Sequence, residues 1–321
     1  MIRGGLRGVR GSPSWSQSSI ATPNIQASIQ APAADFIGPR AGLLQQEKAH
    51  FFFYSPNFKR YPLLNNINMA HYINKLKDQR VLVVGGSTGI GFAVTEAALE
   101  HGADVIISSS NQTKIENAVR KLEKHIEAAQ LPPRKVSGKA CDLTNPDTLE
   151  QSVKSLLEFA AQDGKLDHVV FTAGDFLTLP SIDSVTLEDI AKVGMYIHQS
   201  SRSSLTFTTS TTHWRPRKGW SVLNGATGGI EAMARGLAID LKPLRVNTVR
   251  SGFVRTELFD GFPEEALEAM WPAMERDCVV GKVGTAGELA EAYMYFMKNT
   301  FATGTTAEVD GGRMIGDSKE D

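Results

Sequence analysis

The chain is 321 residues long and 41% hydrophobic, enough to bury the core of one large domain and too apolar for wholesale disorder. Its formal net charge of −1 offers no attraction to nucleic acid or to an anionic membrane, and its 2 cysteines, Cys141 and Cys278, exclude a disulfide scaffold. No apolar run approaches the ~18 residues that span a bilayer, and the histidines show no metal-ligand spacing, so no metal is expected.

Taken in order, residues 1–34 contain no acid and are rich in serine. Arg3, Arg7 and Arg10 share one helical face beside Ile2, Leu6 and Val9, while Gly4, Gly5, Gly8 and Gly11 weaken any helix there. Such a segment resembles a mitochondrial transit peptide, and it also reads as a disordered extension. Residues 35–68 show no clear period. Residues 1–70 are therefore read as an extension and 71–321 as the folded domain. The cysteine usage suits a reducing compartment. It favours the cytoplasm, or the mitochondrion if the first segment is a transit peptide.

From residue 80 short apolar runs alternate with longer helical patterns, which predicts a parallel sheet with crossover helices. The expected strands are Arg80–Val84, Asp104–Ser108, Lys135–Lys139, His168–Thr172, Leu205–Thr209, Arg245–Val249 and Thr306–Val309. The expected helices are Ala93–Leu99, Lys114–Ala129, Asp147–Phe159, Ile230–Leu241, Glu264–Glu275 and Ala286–Met297, with a short one near Thr186–Met195. The fold class is α/β: a doubly wound Rossmann fold, seven parallel strands with helices on both faces.

The first strand runs straight into Gly85-Gly86-Ser87-Thr88-Gly89-Ile90-Gly91. Glycines let the backbone turn tightly and approach a pyrophosphate, whose charge then faces the N–H groups that open the next helix. The glycine spacing resembles the short-chain dehydrogenase/reductase family. Other landmarks follow in order: Cys141-Asp142-Leu143 after the third strand, Thr172-Ala173-Gly174 after the fourth, Arg245-Val246-Asn247, Ser251-Gly252-Phe253-Val254-Arg255-Thr256, and Asp310-Gly311-Gly312 at the end. The resemblance implies a nicotinamide dinucleotide held by Gly85, Ser87, Thr88, Gly89, Ile90, Gly91, Ser109, Asn111, Asp142, Ala173, Gly174, Val254 and Thr256.

The second strand ends Ser108-Ser109-Ser110-Asn111-Gln112-Thr113-Lys114, with no carboxylate to hold a ribose 2′-OH or repel a 2′-phosphate. This favours NADP (NADPH), although Asn111 also reads as a plain helix cap.

The catalytic pattern departs from the family. Its Tyr and its Lys four residues later fall on Leu223 and Thr227, and no Tyr in the chain is followed by a Lys at that distance. Ser210 falls where the resemblance places the serine that polarises a carbonyl, or it merely caps a strand end. His213 and Lys218, near Trp214 and Trp220, are alternative donors. The segment between Gly174 and Leu205 is short for the long helix the family builds there. Two functions follow. One is an NADP(H)-dependent oxidoreductase acting on a small carbonyl or alcohol, a small-molecule substrate being its partner. The alternative is a catalytically impaired dinucleotide-binding protein, a sensor or partner subunit. A homo-oligomer stays open.

Overall fold

The computed structural model describes residues 72–174 and 195–316. The extension and the short helix expected up to Met195 lie outside the described residues, apart from Met195 itself.

The described elements run β1 (Arg80–Val84), α1 (Gly89–Glu100), β2 (Asp104–Ser109), α2 (Gln112–Ala128), β3 (Val136–Ala140), α3 (Leu149–Ala160), β4 (His168–Phe171), β5 (Ser204–Ser210), α4 (Ser221–Asp240), β6 (Arg245–Ser251), β7 (Val254–Arg255), α5 (Glu264–Arg276), β8 (Gly284–Thr285), α6 (Ala286–Lys298) and β9 (Thr306–Val309). Seven strands form one sheet in the order β3-β2-β1-β4-β5-β6-β9, and every ladder in it is parallel. The order reverses beside β1, between β2 and β4, so a crevice opens at the carboxyl ends of those strands.

The apolar runs have their cause in this layering. Along β1, Val81 and Val83 face one core with α1, α2 and α6, while Leu82 and Val84 face the other with α3 and α4. A strand covered on both faces has no position left for a polar side chain.

Two features were not expected. Strands β7 and β8 make a separate parallel pair of two residues each. Helix α4 begins at Ser221, ahead of the expected Ile230. Gly225, Gly228 and Gly229 lower helix propensity there. Tertiary contact overrides it: Thr209 Oγ1 donates to the Thr227 carbonyl at 2.8 Å.

Candidate active site

The turn after β1 is stitched to β2, because the amides of Gly85 and Gly86 both donate to the Ser108 carbonyl, at 2.8 and 3.1 Å. It is pressed equally hard on β4. Thr172 and Ala173 donate their amides to the Val84 carbonyl, and Thr172 adds its hydroxyl at 3.0 Å. A Cβ on Gly91 would stand 2.2 Å from the Gly85 carbonyl oxygen and 2.4 Å from Thr172 Oγ1, so only glycine closes this contact. Gly89 has φ +56°, and a Cβ there would come within 3.3 Å of Thr256. The ends of β1, β4 and the short β7 thus converge on one turn.

Thr88 is the residue before α1, and its side chain makes no cap bond. The first-turn N–H groups of Gly89, Ile90 and Gly91 have no partner within their own helix. They stand where a diphosphate would be held. Ser87 is half-buried in the turn and Thr88 exposed on it. Ile90 packs on the core, anchoring the first turn.

At the end of β2, Ser108 is buried and donates its hydroxyl to the Lys139 carbonyl, leaving half-buried Ser109 nearer the surface. The Asn111 side chain caps α2, accepting from the Lys114 amide at 3.1 Å. Asp142 accepts from the Thr144 hydroxyl at 2.7 Å and amide at 2.9 Å, and these bonds hold its carboxyl below the usual range. Gly174 is exposed, with nothing within 4 Å of where a Cβ would lie. Val254 is buried under the segment that carries Thr256.

Ser210 ends β5. Its Oγ lies 2.7 Å from Thr212 Oγ1 and accepts from the Thr212 amide at 3.4 Å, capping the short turn Thr211–His213. Thr212 Oγ1 is 3.4 Å from Thr227 Oγ1, which also reaches the Asn224 carbonyl at 3.2 Å. Three hydroxyls therefore form a chain from the strand end to α4, at the position expected for a lysine. Half-buried Leu223 stands one turn earlier.

The alternative donors are placed differently. Lys218 is exposed. His213 Nε2 lies 3.3 Å from Glu231, within a cluster invisible to sequence reading. Glu231 is buried on α4 and receives two bonds from Arg250, each 2.7 Å, while Arg250 also reaches Glu308 at 2.5 Å and stacks on Trp214. The Glu231 bonds hold Arg250 even more firmly protonated than usual. Nothing in the helical pattern of α4 marked Glu231 as buried. Its partners arrive from β6 and the loop after β5. Among the described residues no group of acidic, His or Cys side chains could hold a metal, and no helix is long and apolar enough to cross a membrane.

Comparison with known proteins matches residues 72–315 to an SDR-like Rossmann domain. The chain is 37% identical over 265 residues to the short-chain dehydrogenase/reductase fsr5 of Gibberella fujikuroi, covering 77% of this chain and 99% of that protein. The solved MalC reductase/Diels-Alderase of Malbranchea aurantiaca is 36% identical, with a TM-score of 0.67, over 75% of this chain and 98% of that one. A small-chain dehydrogenase in complex with NADPH is 25% identical, with a TM-score of 0.54, over 75% of this chain and 100% of that one. A parallel sheet reversing beside the glycine turn, and relatives matched over nearly their whole length, lead to one conclusion: the chain belongs to the short-chain dehydrogenase/reductase family, whose Rossmann fold binds a nicotinamide dinucleotide.

Proposed function

We propose that the protein is an NADP(H)-dependent oxidoreductase that interconverts a small carbonyl compound and its alcohol. The observation that carries this reading is the convergence of the β1, β4 and β7 ends on a glycine turn whose N–H groups have no side-chain cap, together with the Ser210 hydroxyl cluster. The residues fit a dinucleotide, since glycine at Gly91 lets the start of α1 close against the Gly85 carbonyl and Thr172, and no side chain caps the amides of that first turn. Gly85 to Gly91 would hold its diphosphate, and Ala173, Gly174, Val254 and Thr256 would line its path across the crevice. When bound, the dinucleotide supplies or accepts a hydride at the substrate carbon.

NADPH is favoured over NADH because the Ser108–Lys114 segment carries no carboxylate and leads into the positive end of α2. Ser109 would meet the 2′-phosphate, and Asn111 would act by holding the α2 terminus in place. The solved relative with NADPH bound supports the same choice.

The hydroxyl chain can orient in one direction. Thr227 gives its proton to the Asn224 carbonyl, Thr212 donates to Ser210, and the Ser210 proton is left for a carbonyl oxygen. This polarises the carbonyl without an ionisable donor. The same observation favours a second reading: with Leu223 and Thr227 at the Tyr and Lys positions, the protein binds the dinucleotide with little or no turnover.

The test measures NADPH and NADH binding by fluorescence and NADPH oxidation across a panel of ketones and quinones. The expected result is tighter NADPH binding, reversed by Ser109→Asp, with slow turnover that Ser210→Ala lowers. A parent that prefers NADH overturns the cofactor assignment. Binding without any turnover selects the second reading.

A further inference from the structure

Arg313, just past the last strand, is only 1% exposed, and among the described residues no carboxylate lies within ion-pair distance of it. A guanidinium removed from water needs compensation from hydrogen bonds or stacking. Here its hydrogen bonds and stacking come from the segments after two other strands, while Nε has no partner among the described residues. Nη1 donates to Thr211 Oγ1 at 2.9 Å and Nη2 to the Arg215 carbonyl at 3.3 Å. The guanidinium also stacks on Phe253, 4.6 Å from the ring centre. The clasp is reciprocal, because Arg215 Nη1 donates to the carbonyls of Arg313 at 2.8 Å and Gly316 at 3.2 Å. Asp310 ties the base of this tail by accepting the amides of Gly312 and Met314.

Thr211 opens the turn that Ser210 caps, and Phe253 belongs to the segment between β6 and Thr256. One side chain therefore bonds to the serine's turn and packs on the segment that follows the neighbouring strand β6. We infer that Arg313 is a positioning residue, holding the Ser210 turn in register with the segment after β6. Buried stacking and directional bonds achieve this without any contact between Arg313 and the substrate. Burial, then the neighbouring guanidiniums of Arg215 and Arg217, lower its proton affinity, and Asp277 and Asp310 partly oppose this. The inference rests on the proposed role of Ser210, and its test separates the two.

The variant is Arg313→Met in the full chain, which keeps the length and the contact with Phe253 but removes both bonds. Replacing a buried charge by an apolar side chain is often close to neutral for stability. The expected result is a kcat for NADPH-driven menadione reduction lowered about tenfold, with NADPH affinity unchanged. Amide exchange at Thr212 and His213 should quicken about tenfold, and the Ser210→Ala, Arg313→Met double variant should lose no more than Ser210→Ala alone. Arg313→Lys, which can still donate to one acceptor, should recover part of the rate. If Arg313→Met does not fold, Thr211→Val cuts the same bond from the other side and should give the same kcat and exchange changes. Unchanged exchange at Thr212 and His213, or a kcat loss that adds to that of Ser210→Ala, overturns the inference. If the parent does not reduce menadione, the oxidoreductase reading fails for that substrate and the exchange measurement alone decides Arg313.

Discussion

The two ends of the central sheet treat polar groups in opposite ways. At the amino ends of the strands, buried His168 lies 2.8 Å from Ser204 Oγ through Nδ1 and 2.8 Å from Gln79 Oε1 through Nε2. Arg245 donates Nε to the Ser201 carbonyl and its remaining nitrogens to those of Phe296, Met297 and Ala302, closing the carboxyl end of α6. Every polar nitrogen of these two side chains is used. At the carboxyl ends, the first turn of α1 has no side-chain cap, no described residue lies within 4 Å of where a Gly174 Cβ would be, and Ser210 is hydrogen-bonded only within its own turn. Both ends rest on the same ladders. One end uses its donors for stability; the other leaves donors without a side-chain partner, which is where the proposed site lies.

Three perturbations sharpen that contrast. The largest effect is expected at the carboxyl end. Leu223→Tyr with Thr227→Lys should raise NADPH-dependent turnover by about 10²–10⁴, the usual yield of a positioned general acid. Neither single change should do so, since the tyrosine needs the lysine's charge and the lysine has no other task. Stopped-flow comparison of parent, singles and double decides it. A parent already as fast as the double would mean that another group, His213 first, gives the proton.

The next effect belongs to the amino end. Burial is the main cause, and the charge of Arg245 a second, of a His168 pKa lowered from 6.5 to about 3. The unfolded chain therefore takes up a proton below pH 6.5 that the folded chain refuses. Stability should be complete above that pH and fall by about 1.4 kcal/mol per unit toward pH 3 as this group is linked to unfolding. Urea midpoints measured from pH 7 down to about 5 should show the slope, and His168→Gln should flatten it. A slope identical in the two proteins would assign acid sensitivity elsewhere.

The smallest effect is at the turn. Gly89→Val adds a branched side chain where φ is +56° and Thr256 is close. NADPH affinity should fall at least tenfold, about 1.4 kcal/mol, in a protein whose far-ultraviolet spectrum is unchanged. Unaltered binding would remove the turn from the site.

The nucleotide side of the molecule was the more readable. Gly85 to Gly91 carry their geometry in residue type, because close approach and positive φ admit glycine alone, and the all-apolar β1 announces a strand covered on both faces. Strand limits were off by a residue or two at most, as for β3, read as Lys135–Lys139 and found at Val136–Ala140. The catalytic side was less readable. The polar cluster around His213 draws on Glu231, Arg250 and Glu308, and the clasp at Arg313 on Thr211, Arg215 and Phe253.

Periodicity and glycine spacing alone determined the class of fold, the order of its elements and the location of the glycine turn after β1. Each is a local property: strand, turn and helix are specified by residues within a few positions of one another. Tertiary structure alone decided that α4 starts at Ser221 despite its glycines, that Asn111 is committed to a cap, that Ser210 joins Thr212 and Thr227, and that Arg313 is buried against the turn that Ser210 caps. Those outcomes depend on partners far away in sequence, up to 102 positions for Arg313 and Thr211, and burial between such partners leaves no periodic trace in either segment.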